Sequence, residues 1–320
     1  MVVLAATAIA HPGPVSQDEL WRGYFSTHYS GVQRALASRL FSNSGVRQRH
    51  AAVNPTIEDV SRWSTAQRMQ RYLTEAMPLG KSAVADALDA AGVRAADIGL
   101  FAVCSCTGYV TPGLDILLAR DLGMAPDTHR LFIGHMGCYA ALPVGLHVQP
   151  PTADPEQIIA HALFSDAAAA AVVLPSGPGY EVLEVAAVTD VTTADMMTWD
   201  VTDLGFRMGL SQHVPDVLDG YVADLVDGLL VRQGMSRAEV DGWAVHPGGP
   251  RILDVVRDRL ELSAEALAPS RQVLAEHGNC SSPTVLMIVD SMRAARPRHV
   301  LAMAFGPGLT LYATLLRAGG

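Results

Sequence analysis

The stretch GHMGCYAA at residues 134–141 is the most informative part of the sequence, because it sets Cys138 in a glycine-containing turn between a predicted buried strand and a helix-compatible run. His246 and Asn279 follow downstream, each in a turn rich in glycine or small residues. A helix N-terminus or a neighbouring imidazolium lowers the pKa of a thiol, so Cys138 is a candidate nucleophile for a covalent acyl-enzyme. The imidazole and the carboxamide can donate hydrogen bonds to a developing oxyanion. The three residues therefore fit thiol acylation followed by carbanion chemistry.

Each of these residues also fits a purely structural role. A lone buried cysteine is usually a small hydrophobic side chain, and a lone buried histidine is usually hydrogen-bonded in the core. An asparagine after a glycine often forms a turn or caps a helix. The glycines around the three residues favour a functional role, because they let a ligand come close to the backbone.

The composition excludes several classes of protein. With 320 residues, the chain is long enough for two similar domains or one large one. Its formal charge of -9 and its lack of a basic block argue against nucleic acid as a partner. The four cysteines form no Cys-x-x-Cys pair, so we expect neither a zinc cage nor disulfides, and a reducing cytoplasm. No apolar run reaches the roughly 18 residues of a membrane-spanning helix, so no membrane association is expected.

Strands and helices alternate along the chain, which predicts an α/β protein. Residues 1–10 have the apolar character of a signal peptide, but no Lys or Arg precedes them, so we predict a buried strand. Predicted helices include 57–76, 80–91, 155–163 and 250–260. A turn rich in proline and glycine divides the chain into an N-terminal half, 1–175, and a C-terminal half, 176–320.

Together with four other segments, these residues resemble the type III polyketide synthases, also called the chalcone and stilbene synthase family, of the thiolase superfamily. The four segments are TGYVTPG at 107–113, ALFSDA at 162–167, GFRM at 205–208 and FGPGLT at 305–310. They follow the order of the family over nearly the whole chain. The alanine-rich composition, in which Lys81 is the one lysine, indicates a bacterial member.

The resemblance implies an α/β, thiolase-like fold whose two similar halves form an αβαβα layered arrangement. It implies an acyltransferase that loads an acyl-CoA starter on Cys138, extends it by decarboxylative condensation with malonyl-CoA, and cyclises the product to a pyrone or a phenolic ring. His246 and Asn279 would stabilise the enolate, and Phe164 and Phe206 would be gatekeepers between a coenzyme A tunnel and the cavity. Coenzyme A thioesters are substrates, so no resident cofactor or metal is implied. The family also implies a homodimer.

The resemblance further assigns residues to the substrate pocket and to coenzyme A. The pocket residues are Cys106, Thr107, Thr111, Met197, Ser281, Phe305, Gly306 and Pro307, with Thr111 near the subunit contact. The residues expected to contact coenzyme A are Arg47, Arg49, Arg251, Gly248 and Gly249. Cations are expected at the tunnel mouth because coenzyme A carries phosphates. Met197 predicts a narrow cavity, although it also fits ordinary core packing.

One interval departs from the resemblance. His246 and Asn279 are 33 positions apart, as in the family, but Cys138 and Phe164 are 26 apart, roughly 25 fewer than the resemblance implies. The family has a long helix and a strand in this interval, and Pro143 disfavours such a helix here. Two other interpretations therefore stay open. One is a catalytically impaired or non-catalytic member of the family. The other is a related condensing enzyme, such as a ketoacyl-carrier-protein synthase III or a hydroxymethylglutaryl-CoA-synthase-like protein.

Overall fold

Strands and helices alternate along the chain, as the sequence predicts. The computed structural model describes residues 2–134, 136–139, 152 and 154–319. In these ranges the strands are β1 (Val2–Ala10), β2 (Pro14–Ser16), β3 (Gln48–His50), β4 (Leu100–Cys104), β5 (His129–Ile133), β6 (Ala168–Leu174), β7 (Tyr180–Thr189), β8 (Met197–Thr202), β9 (Gly205–Leu210), β10 (Gly242–Val245), β11 (His299–Gly306) and β12 (Thr310–Ala318). The helices are α1 (Gln17–Gly23), α2 (Gly31–Ser42), α3 (Thr65–Ala91), α4 (Leu114–Leu122), α5 (Pro155–Leu163), α6 (Val214–Arg232), α7 (Pro250–Leu260), α8 (Ala268–His277) and α9 (Pro283–Met292). In the described ranges, no helix is both long and apolar enough to cross a membrane.

A six-stranded sheet in the order β10-β11-β12-β7-β1-β6 joins the two halves of the chain. β1 lies inside this sheet, antiparallel to both β6 and β7. The apolar N-terminal segment is therefore a strand, as predicted. Because β1 pairs with β7, strands from both halves belong to one sheet. The boundary between residues 175 and 176 lies in the turn between β6 and β7 and stays a prediction.

Helices cover both faces of this sheet, because successive side chains of a strand point to opposite sides. On β12, Leu316 packs in one cluster with Met287 of α9, whereas Leu315 packs with residues of α6. On β1, Leu4 packs with the α9 cluster and Ala6 packs against α3, with a register shift between the two. α9 is thus buried against one face, and α3 and α6 cover the other.

One long helix, α3, replaces the two helices that were predicted at 57–76 and 80–91. It continues through Pro78. Its start is set by a capping box: the Gln67 N–H donates to the Ser64 side chain, and the Ser64 N–H donates to the Gln67 side chain. The prediction was wrong at both places. Capping chemistry, rather than the apolar period, fixes where this helix begins, and one proline did not end it.

The strands β4 and β10 join the rest of the fold differently in the two halves of the chain. In the C-terminal half, β11 lies between β10 and β12. In the described part of the N-terminal half, β4 and β5 form a separate parallel pair, and a cavity of about 600 Å³ lies between β4 and β6. Two apolar side chains of β5, Leu131 and Phe132, are exposed. The predicted loss of a long helix after Cys138 concerns residues 142–149, which lie outside the described residues.

Candidate active site

Cys138 lies in a single 3-10 turn, Gly137–Tyr139, shortly after β5. Gly137 has a φ of +68°, and a Cβ built on it would lie 2.5 Å from Pro307 Cδ, so only glycine fits. The Gly137 N–H donates to the sulfur of Cys106 at 3.1 Å. The turn before the cysteine is therefore clamped between the β11–β12 connection and Cys106.

The thiol of Cys138 is buried, with 6% of the residue exposed. The Ser281 hydroxyl donates to its sulfur at 3.4 Å. Burial raises the pKa of Cys138 to about 11, and the Ser281 hydrogen bond offsets this only partly. The lowered pKa that the sequence predicts for Cys138 is therefore wrong for the part of the chain that the structure describes. The resting side chain is a neutral thiol that needs a base before it can attack.

His246 lies at the end of β10, where its backbone N–H donates to Met303 O at 2.9 Å. The residue is 1% exposed, and neither ring nitrogen has a hydrogen-bond partner among the described residues. Burial lowers the pKa of His246 to about 3, because the charged imidazolium is poorly solvated there. The ring is therefore neutral at pH 7, with one nitrogen able to accept a proton and the other able to donate one.

Asn279 is also 1% exposed and is held by its backbone on both sides. Its N–H donates to Leu163 O at 2.8 Å, and its carbonyl accepts from the Ser165 N–H at 2.9 Å. Its side-chain Oδ1 accepts from the Ser281 N–H at 2.7 Å. Because Oδ1 is engaged, the carboxamide presents its NH₂ group as the donor. The orientation of this amide is thus set before any ligand binds.

One cavity of about 440 Å³ is lined by Cys138, His246 and Asn279 together. A second cavity of about 110 Å³ lies beside it, and Phe164 lines both. Phe206 lines the smaller cavity, where it packs 6.3 Å from Trp199. The three polar residues that sequence analysis linked across the chain therefore meet at one site, and Phe164 stands at the border of two spaces.

The structure places most of the expected pocket residues at these two cavities. Met197 and Phe305 line the larger cavity, and Cys106, Thr107 and Ser281 line the smaller one. Pro307 contacts the Cys138 turn, as described above, and Gly306, the last residue of β11, precedes it. Thr111 is exposed and lines neither cavity.

The arginines expected to bind coenzyme A fall into different environments. Arg251 is exposed, pairs with Asp216 at 2.7 Å, and lines the larger cavity together with Gly248 and Gly249. Arg47 is exposed and lines a surface cavity of about 550 Å³ that shares Pro250 with the larger one. Arg49 lines the smaller cavity.

Arg49 is instead buried, and its guanidinium donates to the carbonyl oxygens of His161 and Phe164. Burial lowers the pKa of Arg49 to about 10. Sequence reasoning missed Arg271, which lines the surface cavity with Arg47 and pairs with Asp254 at 2.8 Å. Arg271 lies on α8, before the turn that holds Asn279, and its charge was the available signal.

Both halves of the chain match protein-family descriptions. Residues 183–319 match the C-terminal domain of chalcone and stilbene synthases, and residues 1–148 match the N-terminal domain. The chain belongs to this family, the type III polyketide synthases, which are acyltransferases. The resemblance found in the sequence motifs is confirmed.

Individual relatives agree with this assignment. The chain is 30% identical to the alpha-pyrone synthesis polyketide synthase-like protein Pks18 of Mycobacterium tuberculosis, over 87% of this chain and 81% of that protein. It is 31% identical to 1,3,6,8-tetrahydroxynaphthalene synthase of Streptomyces griseus, over 97% and 91%. The crystal structure of PKS-I from the brown alga Ectocarpus siliculosus superposes with a TM-score of 0.92 at 26% identity, covering 99% of this chain and 98% of that one. The α/β, thiolase-like fold predicted from the sequence is confirmed.

Proposed function

We propose that the chain makes a polyketide by loading an acyl-CoA starter on Cys138 and extending it with malonyl-CoA. The observation that supports this most strongly is the shared cavity, in which a buried thiol, a neutral imidazole without a hydrogen-bond partner among the described residues, and an oriented carboxamide face one space. Each group matches one demand of the reaction: a nucleophile, a base that can also donate, and a second donor for the enolate oxygen.

The loading step uses His246 as the base. The Cys138 sulfur attacks the thioester carbonyl of the starter while its proton passes to the free imidazole nitrogen. The carbon–sulfur bond to coenzyme A then breaks, and the coenzyme A thiolate takes the proton from the imidazolium. His246 returns to the neutral form, which its burial favours.

The extension step uses the same cavity with His246 and Asn279 as donors. Malonyl-CoA loses carbon dioxide, and the electron pair of the broken bond moves onto the thioester oxygen as an enolate. An imidazole N–H and the carboxamide NH₂ lower this barrier without a formal cation. The enolate carbon then attacks the acyl group on Cys138, a carbon–carbon bond forms, and the cysteine thiolate leaves.

The arginines around the outer openings suit the phosphates of coenzyme A. Arg251 stands at the larger cavity, and Arg47 and Arg271 stand at the adjoining surface cavity. All three already pair with carboxylates, so a phosphate would replace an existing partner rather than meet a bare cation. We assign these three residues to coenzyme A binding, and Arg271 is added to those predicted from the sequence.

The product is proposed to be a pyrone or a phenolic ring. The names of the relatives include an alpha-pyrone and a tetrahydroxynaphthalene product, both of which are cyclised polyketides. Met197 and Phe164 line the larger cavity and limit the space for the growing chain. Phe164 and Phe206 are proposed as gatekeepers, because Phe164 borders both cavities and Phe206 lines the smaller one. A cytoplasmic homodimer, as the family implies, is part of the same proposal.

Incubation with radiolabelled malonyl-CoA and a panel of acyl-CoA starters tests the proposal. We expect release of labelled carbon dioxide and a labelled product for at least one starter, and loss of both in Asn279→Ala. Cys104→Ala, a cysteine on β4 that lines neither site cavity, is the matched control and should keep both. A folded protein that neither decarboxylates nor condenses supports the impaired member of the family. Activity with acyl-carrier protein but not with coenzyme A thioesters supports the related condensing enzyme.

A further inference from the structure

Three histidines from distant parts of the sequence meet behind the active site. His11 follows β1, His50 ends β3 and His277 ends α8. One ring nitrogen of each lies within 4.8 Å of those of the other two. His50 Nε2 and His277 Nδ1 are 3.1 Å apart, and the His11 ring stacks on both, with centroid distances of 4.2 Å to His50 and 4.7 Å to His277. No step of the proposed reaction uses these rings.

The surrounding hydrogen bonds direct lone pairs into the cluster. Pro12 O can only accept, so its 3.0 Å contact with His50 Nδ1 assigns the proton of that ring to Nδ1 and leaves a lone pair on Nε2. His277 Nδ1 then carries the proton that it donates to His50 Nε2. His11 Nδ1 is buried without a hydrogen-bond partner among the described residues. Histidines that bind metals commonly donate their other ring N–H to a carbonyl, as His50 does to Pro12.

Three imidazoles select a borderline transition-metal ion rather than Ca²⁺ or Mg²⁺, which prefer oxygen ligands. Zinc bonds to imidazole are about 2.0–2.1 Å long, so two nitrogens of a tetrahedral site lie roughly 3.4 Å apart. The 3.1 Å between His50 and His277 is close to that separation. To complete the site, the His11 ring tilts out of its stack, and the His277 proton moves from Nδ1 to Nε2 with no net proton release.

A cavity of about 270 Å³ gives an ion and a water molecule a route to the cluster. It is lined by His11 and His277 and by the polar side chains of Gln272 and Glu276. His50 also lines the smaller active-site cavity. The cluster therefore forms part of the wall between an outer cavity and the site.

We propose that His11, His50 and His277 bind one divalent transition-metal ion of the Zn²⁺ type, with water as the fourth ligand. Such an ion ties together three segments, two of which are linked to Asn279. His277 lies two residues before Asn279 in the chain. The His50 N–H donates to Ser165 Oγ at 2.8 Å, and the Ser165 N–H donates to Asn279 O at 2.9 Å. The three histidines are positioning residues, because they act on Asn279 through the backbone.

Calorimetric titration of the chelator-treated full chain with Zn²⁺ tests this site. We expect one ion per chain and a rise in Tm on binding. His11→Gln, His50→Gln and His277→Gln should each weaken binding by at least about tenfold, since even losing an outer hydrogen-bond partner of a ligand costs that much. His129→Gln is the matched control, because His129 is an exposed histidine at the start of β5. It should bind as the wild type does.

Cysteine thiolates are the alternative ligands, and Cys138→Ala separates them from the histidines. Retained binding in Cys138→Ala supports the histidine site, whereas binding that is lost there and kept in the histidine variants overturns it. X-ray absorption spectroscopy of the Zn²⁺-loaded wild type identifies the ligand atoms directly and does not depend on the folding of any variant. Three nitrogen ligands at about 2.0–2.1 Å support the proposal, and a sulfur shell or no stoichiometric uptake overturns it.

Discussion

Replacing Gly137 with alanine should weaken the fold and the site together, for two separable reasons. The residue has a φ of +68°, which costs a non-glycine residue roughly 1–2 kcal/mol. The new methyl group would also lie 2.5 Å from Pro307 Cδ and 3.2 Å from Pro307 Cγ. The proline ring cannot rotate away, so the backbone must shift, at a further cost of about 1–3 kcal/mol. The sum is a large part of the about 5–15 kcal/mol that stabilises a typical protein.

A matched control separates the steric cost of Gly137→Ala from the cost of backbone strain. Gly123 has a φ of +72°, yet a Cβ built there meets no atom within 4 Å. Gly123→Ala should therefore lose only the roughly 1–2 kcal/mol of backbone strain. Urea unfolding followed by far-ultraviolet circular dichroism gives the free energy of unfolding of both variants. We expect Gly137→Ala to be less stable than Gly123→Ala by about 1–3 kcal/mol.

A second substitution tests the cause. Pro307→Ala removes Cδ and Cγ, the two ring atoms that the methyl group would meet first. In a double-mutant cycle, we expect Gly137→Ala to cost less in the Pro307→Ala background by about 1–3 kcal/mol. Equal stability of Gly137→Ala and Gly123→Ala, or a coupling energy of zero, would refute the reasoning that Pro307 clamps the turn before Cys138.

Three further predictions concern reactivity, substrate affinity and acid stability. Because burial raises the pKa of Cys138 to about 11, its alkylation by iodoacetamide should speed up about tenfold per pH unit from neutral pH towards that value; a rate that levels off near neutral pH would contradict this. Arg271→Ala should raise the KM for the acyl-CoA starter with little change in kcat, whereas Arg94→Ala, in an exposed pair with Asp97, should change neither; equal KM values for both variants would argue against a phosphate contact at Arg271. Burial, with Arg49 nearby, lowers the pKa of His161 to about 4, so its neutral form stabilises the fold above about pH 6.5, and this contribution is lost as the pH falls towards 4. In urea unfolding experiments over that pH range, the free energy of unfolding of His161→Phe should therefore fall by about 1.4 kcal/mol less per pH unit than that of the wild type. Identical slopes for the two proteins would contradict this prediction.

The sequence predicted elements and residues whose signals are local. The helices 155–163 and 250–260 match α5 and α7 from end to end, because each begins at a proline that fits the first helical turn. Cys138, His246 and Asn279 stood out because glycines and small residues surround them, and the structure brings them to one cavity.

Features that depend on contacts between distant segments could not be predicted from the sequence. Arg49 is buried because α5 covers it, and no local pattern separates it from the exposed Arg47. The raised pKa of Cys138 arises from burial of its thiol in the folded protein. The three histidines at 11, 50 and 277 meet only because β1, β3 and α8 converge in the fold.

The proposal that Cys138 carries the acyl group is tested by mapping that group onto one of the four cysteines. A short incubation with an acyl-CoA starter, followed by proteolysis and mass spectrometry of the peptides, locates the adduct. We expect one acyl group per chain on the peptide that contains Cys138, present in Asn279→Ala and absent in Cys138→Ala. An adduct on Cys104, Cys106 or Cys280, or a folded wild-type protein that takes up no acyl group, would contradict the account.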